Sequence, residues 1–115
     1  MAGALFTFAG AAHAAEPYGV WLRPSTGSQV HFYDCGGKLC GKIVAVTDAA
    51  RRKEIGTVIM HGAAKTAADK WEGDLLDVDS GKTYSGVVTL ESPTALNLKG
   101  CVLVICRGET WKKVR

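Results

Sequence analysis

From Gly19 to the end of the chain, apolar side chains recur at every second position, and turn-forming residues interrupt them at short, regular intervals. A two-residue period puts alternate side chains on opposite faces of an extended strand, whereas a helix needs a period near 3.6. The alternation therefore predicts an all-β protein. Strands are expected over 19–23, 29–35, 39–46, 55–60, 70–78, 82–90, 94–99 (running on through Gly100 and Cys101) and 109–114. Pro24-Ser25-Thr26-Gly27, Gly36-Gly37, Asp79-Ser80-Gly81 and Ser92-Pro93 supply turn chemistry between them. On the second strand Val30 and Phe32 share one face, and Gln29, His31 and Tyr33 share the other. On the third, Leu39, Gly41, Ile43 and Ala45 lie together. The polar stretch 47–53, ending in Arg51-Arg52-Lys53, suits an exposed loop or one helical turn, while the Ala-rich stretch 62–69 fits either a loop or a short helix.

Eight short strands joined mainly by hairpins leave unpaired edges unless the sheet closes on itself. An eight-stranded antiparallel up-and-down barrel is the expected architecture, with a two-sheet sandwich as the alternative. A chain of 115 residues holds one such domain and not two. Residues 1–14 stand apart: they are almost wholly small or apolar and end in Ala12-His13-Ala14, the pattern of a secretory signal with small residues at its cleavage site. This apolar run is short of the ~20 residues a membrane span requires. The expected organisation is a signal remnant at 1–14 and a single barrel at 15–115, in a periplasmic or secreted protein.

Four cysteines, Cys35, Cys40, Cys101 and Cys106, fit that compartment, where disulfides are the default. Bridges 35–40 and 101–106 are the simplest of three connectivities. The loop-entropy model assigns each local bridge roughly 2 kcal/mol and a crossed bridge roughly 4 kcal/mol, so energy does not choose. Proximity favours the local pair at Cys35 and Cys40, which the Gly36-Gly37-Lys38 turn brings face to face. A zinc site is the competing use, but His31 and His61 lack the spacing such sites have. Asp77-x-Asp79-x-Gly81 opens like a calcium loop, yet it lacks the later acidic ligands, and a hairpin turn explains it. No metal or other cofactor is expected.

Gly19-Val20-Trp21 is similar to the lipocalin G-x-W signature, whose Trp closes one end of the barrel. The wider pattern is more specific. The segments Tyr33-Asp34-Cys35-Gly36-Gly37-Lys38-Leu39-Cys40-Gly41-Lys42-Ile43, Lys70-Trp71-Glu72-Gly73, Gly81-Lys82-Thr83-Tyr84-Ser85-Gly86 and Cys106-Arg107-Gly108-Glu109-Thr110-Trp111 resemble, in order, the secreted proteobacterial domain-of-unknown-function family numbered twenty-one forty-seven. That resemblance implies an exported, lipocalin-like barrel with no established enzymatic activity. It also implies a barrel-closing role for Trp21, with Lys113 or Arg115 as the basic side chain that lipocalins lay over this Trp. One departure stands out: family members carry Gly-Gly between the last two cysteines, where this chain has Val102-Leu103-Val104-Ile105, an apolar link poorly suited to a tight turn.

Catalytic chemistry finds little support. His31 and His61 are candidate bases and Ser25, Ser28 and Ser85 candidate nucleophiles, but none sits in a nucleophile elbow or a paired-carboxylate context. With the cysteines oxidised no thiolate remains. The expectation is a non-enzymatic binder of a small apolar or amphipathic molecule, with Phe32, Ile43, Trp71 and Tyr84 as candidate ligand-contacting residues. The alternative is a cell-envelope interaction module with a solid barrel. Its contacting surface for an anionic partner would be the basic C-terminal segment, where Lys99, Arg107, Lys112, Lys113 and Arg115 face Glu109 alone. A hydrolase or disulfide exchanger is a third, lesser reading. No nucleic-acid partner is expected at a net charge of +3.

Overall fold

Eight strands run in chain order and each pairs antiparallel with the next: β1 (Gly19–Leu22), β2 (Gln29–Asp34), β3 (Leu39–Ala45), β4 (Val58–Ala67), β5 (Lys70–Asp77), β6 (Lys82–Ser92), β7 (Ala95–Val102) and β8 (Ile105–Lys113). β8 pairs back onto β1, so the sheet is a closed up-and-down barrel. The computed structural model describes residues 16–115; the signal segment expected at 1–14 lies outside the described residues.

The barrel has two unlike ends. At one end the first strand meets the C-terminal residues: Val20 N donates to Arg115 O (2.8 Å) and Val114 N to Val20 O (2.7 Å). Here Trp21 is fully buried and its indole N–H donates to Pro17 O at 2.9 Å. Gly19 is required beside it. Its φ is +131°, and a Cβ would lie 2.7 Å from Arg115 O. Lys113 Nζ stands 5.6 Å from the centre of the Trp21 ring, which decides between the two basic residues considered for that place. Phe32, Leu39, Met60, Val88 and Leu96 fill the same half of the barrel with little or no exposure.

Packing there depends on one missing side chain. Phe32 and Gly41 are direct partners across β2 and β3, and a Cβ on Gly41 would come within 2.6 Å of the Phe32 ring. Glycine in the middle of an inward face thus makes the space its neighbour's ring occupies.

Two elements depart from the sequence-based expectation. The fourth strand does not stop at residue 60 but runs to Ala67, taking in most of the Ala-rich stretch expected to be a loop or short helix. Alanine has weak β-propensity, but tertiary packing overrides it. Ala63 is fully buried, and a Cβ on Gly73 of β5 would lie 2.8 Å from its Cα, so the two strands meet where both carry little bulk. The last strand starts at Ile105 rather than 109, because the apolar link does form a tight turn. Val102 pairs with Ile105 across a two-residue loop, with Leu103 at φ 57°. The 47–53 stretch contributes to the 3-10 helix Ala49–Glu54, which Asp48 caps by accepting from Ala50 N.

Both local disulfides are formed. Cys35–Cys40 closes the β2–β3 hairpin at the Trp21 end, and Cys101–Cys106 closes β7–β8 at the other.

Gly41→Ala is expected to destabilise the barrel by about 1–3 kcal/mol in urea unfolding, the usual cost of overpacking. Combining it with Phe32→Leu should cost less than the two changes added separately, because the removed ring atoms are those the new methyl strikes.

Candidate functional site

The far half of the barrel is hollow. A cavity of about 600 Å3 opens at the end formed by the β1–β2, β3–β4, β5–β6 and β7–β8 connections. Its wall is apolar, carrying Val30, Ile43, Ile59, Leu75, Leu98 and Trp111. Trp111 is buried, and its ring lies 6.1 Å from that of Phe32, so the cavity wall is backed by the packed half.

Of the four side chains proposed from sequence as ligand contacts, Ile43 and Tyr84 line this cavity. Phe32 and Trp71 do not. They point into the barrel from strand positions belonging to the packed half, where each is buried against the core, and Lys65 Nζ lies 5.5 Å from the Trp71 ring. Alternation tells which face a residue is on, not how deep along the barrel it sits. Trp111 was missed although it shares the inward face of β8 with Arg107 and Glu109. Its large ring inside the last expected strand, 109–114, was the available signal.

The rim is charged, and most of the charge is internally paired. Arg51 bridges Asp79 (3.0 Å) and Glu54 (3.3 Å), tying the 3-10 helix to the β5–β6 turn. These two carboxylates hold the Arg51 guanidinium above its ordinary pKa, mainly through the hydrogen bond to Asp79. Within the turn, Asp77 accepts from Asp79 N (3.0 Å) and Ser80 Oγ (2.9 Å), and Gly81 N donates to Asp77 O. The aspartates are thereby used as turn-formers.

Glu109 has the densest set of contacts. Its Oε1 accepts from Arg23 Nε (3.1 Å), Ser25 Oγ (3.0 Å) and the Trp111 indole N–H (3.0 Å). The reason lies in strand lengths. β1 is four residues long and pairs with β8 only through Trp21↔Lys113 and Leu22↔Lys112, so nearer the mouth side chains do the joining. By contrast Arg107 lines the cavity and, among the described residues, has no carboxylate within ion-pair distance.

The basic residues of the C-terminal segment are spread along the length of the barrel. Lys112 and Lys113 lie at the closed end, with Lys113 over Trp21, whereas Lys99 and Arg107 lie toward the mouth. His31 faces outward, 5.4 Å from Tyr33, and His61 is exposed. The Tyr18 phenol is held above its usual pKa, chiefly by desolvation and then by the charges of Asp34 and Glu16. Among the described residues no group of three or more His, Cys, Asp or Glu side chains is placed to hold a metal ion.

The family model described as "Uncharacterized protein conserved in bacteria (DUF2147)" matches residues 19–113, nearly all of the described chain. The chain belongs to this family. Among solved structures, the DUF2147 barrel is similar to protein HP1028 of Helicobacter pylori, described as belonging to the lipocalin family. The TM-score is 0.71 at 18% identity, over 88% of this chain and 84% of that one. It is also similar to a redesigned β-barrel, with a TM-score of 0.58 at 16% identity over 85% and 91% of the two chains. No curated protein matches in sequence. At such identities the neighbours establish a lipocalin-like fold and nothing further. The two disulfides are compatible with an extracytoplasmic location.

Glu109→Ala leaves the Trp111 N–H and Arg23 without their acceptor, and is expected to lower stability by about 1–2 kcal/mol. Hydrogen exchange should quicken selectively at Arg23 to Gly27, the segment this carboxylate holds against β8; uniform acceleration around the barrel would argue against the side-chain seam.

Proposed function

We propose that this DUF2147 barrel is an exported, non-enzymatic carrier that holds one small amphipathic molecule, apolar part inward, in the open half of its interior. A single observation carries the reading: an apolar cavity of about 600 Å3, within the range of roughly 300–1,000 Å3 usual for small-molecule sites, opening through a charged rim. Such a cavity favours a carrier over a module with a wholly solid barrel. Arg107 strengthens the amphipathic version. Glu54, Asp79 and Glu109 each face an arginine and Asp77 is engaged within its own turn, so among the described residues Arg107 is the cavity-lining cation left to meet an anionic head group such as a carboxylate. The two disulfides and the small, apolar N-terminal segment support periplasmic or secreted placement.

Native mass spectrometry of the purified protein is expected to show a carried lipid-like mass, and fatty acids should displace an apolar fluorescent dye. Finding neither would count against the carrier. Gly100 offers a sharper probe: it lines the cavity, and a Cβ there would meet only Leu75 and Tyr84 atoms at 3.7 Å, an ordinary contact. Gly100→Phe should fill the interior and weaken dye binding at least about tenfold, equivalent to ~1.4 kcal/mol, with the far-UV circular dichroism unchanged.

A further inference from the structure

The β7–β8 hairpin ends in four consecutive apolar residues that the fold leaves in water. Leu103 is 95% exposed, Val104 94%, Ile105 69% and Val102 51%. Turn chemistry does not account for them. Leu103 sits at φ 57°, a conformation for which hairpins ordinarily use glycine or asparagine. Core packing does not account for them either, since none belongs to the buried cluster.

Shape, charge and rigidity together indicate what covers this tip. The four residues expose on the order of 600 Å2, less than the ~800 Å2 per partner of a stable protein interface. They also form a projection instead of a face. Leu103 and Val104, almost wholly exposed at the turn itself, are covered completely only by a fluid phase that closes around them, while Val102 and Ile105 border the cavity mouth just below. From Lys99 to Gly108 the chain carries no carboxylate, and its two charges, Lys99 and Arg107, flank the tip. Arg107 stands two residues, roughly 7 Å, below Ile105 along the strand. With the apolar turn in the acyl boundary, both cations would reach the depth of lipid phosphates. Rigidity comes from the Cys101–Cys106 bridge directly beneath the Val102–Ile105 pair, so insertion orders nothing that is not already ordered.

We propose that the Val102–Ile105 tip is a membrane-docking finger that inserts shallowly into the interface of a bilayer rich in anionic phospholipid, with Lys99 and Arg107 on the head groups. Insertion is shallow because the backbone polar groups of the turn must stay within reach of water or head groups. Val102 and Ile105 also line the cavity, so docking would set its mouth against the membrane. That last consequence rests on the carrier reading, but docking itself does not.

The test is flotation of the full-length protein with vesicles of phosphatidylcholine alone or mixed with phosphatidylglycerol. Wild type should float with the anionic vesicles and much less with the neutral ones. Leu103→Asn combined with Val104→Ser, which suits the positive φ and keeps the hairpin, should weaken binding at least about tenfold. Lys99→Gln and Arg107→Gln should each weaken it about fivefold at low salt. Gly100→Phe, which addresses the cavity alone, should float like wild type whether or not dye binding is lost. Wild type that ignores anionic vesicles, or a tip variant that floats as well as wild type, overturns the proposal. So does a sedimentation-detected dimer that the tip variant abolishes, since a second copy would then be the true occupant.

Discussion

The seam between the first and last strands governs the rest of this barrel. Only two residue pairs join β1 to β8, Trp21 with Lys113 and Leu22 with Lys112, and all of the closure by backbone ladder occurs at one end. A closed barrel has no free edge, so what the ladder does not join must be held by other means. At the closed end the indole of Trp21 is fixed by Pro17 and overlain by Lys113. Nearer the mouth the Glu109 carboxylate gathers Arg23, Ser25 and Trp111 in place of missing strand pairing.

That unequal closure parallels the division of the interior. Large rings and the glycines that make room for them fill the end where the ladder is complete, as Phe32 against Gly41 illustrates. The other end, held by side chains and by the Arg51 clamp, surrounds an open cavity with an apolar wall. An eight-stranded barrel is just wide enough to be either filled or to hold one small molecule. In this chain one half is packed with side chains and the other surrounds a cavity. The packed half supplies stability, which frees the other half from having to maximise burial.

The two disulfides divide in the same way. Cys35–Cys40 secures a glycine-rich turn beside the packed end. Cys101–Cys106 holds a turn whose residues are poor turn-formers and whose side chains lie in water. A covalent brace at that place lets the hairpin carry an apolar tip without the glycine or asparagine such a turn would otherwise favour.

Much of the fold was legible in the sequence, because a period of two and the placement of Gly, Pro and Asp report directly on local backbone geometry. The strands beginning at Gly19, Gln29, Leu39, Lys70 and Lys82 start at the residues the alternation predicts, and the eight-strand barrel follows from the need to leave no edge. The Ala-rich part of β4 escaped that reading, since Ala63 is in a strand on account of what Gly73 brings near it and not through its own preference. The candidate site was only half legible. Inward orientation is a local property, so Ile43 and Tyr84 could be picked out as they stand. Depth along the barrel is set by strand stagger and register, which depend on partners distant in sequence. For that reason Phe32 and Trp71 belong to the packed half, Trp111 is part of the cavity wall, and Glu109 has a role that no neighbour in sequence announces. Sequence alone determined a closed, stapled β-barrel; only tertiary pairing decided which half of it would be hollow.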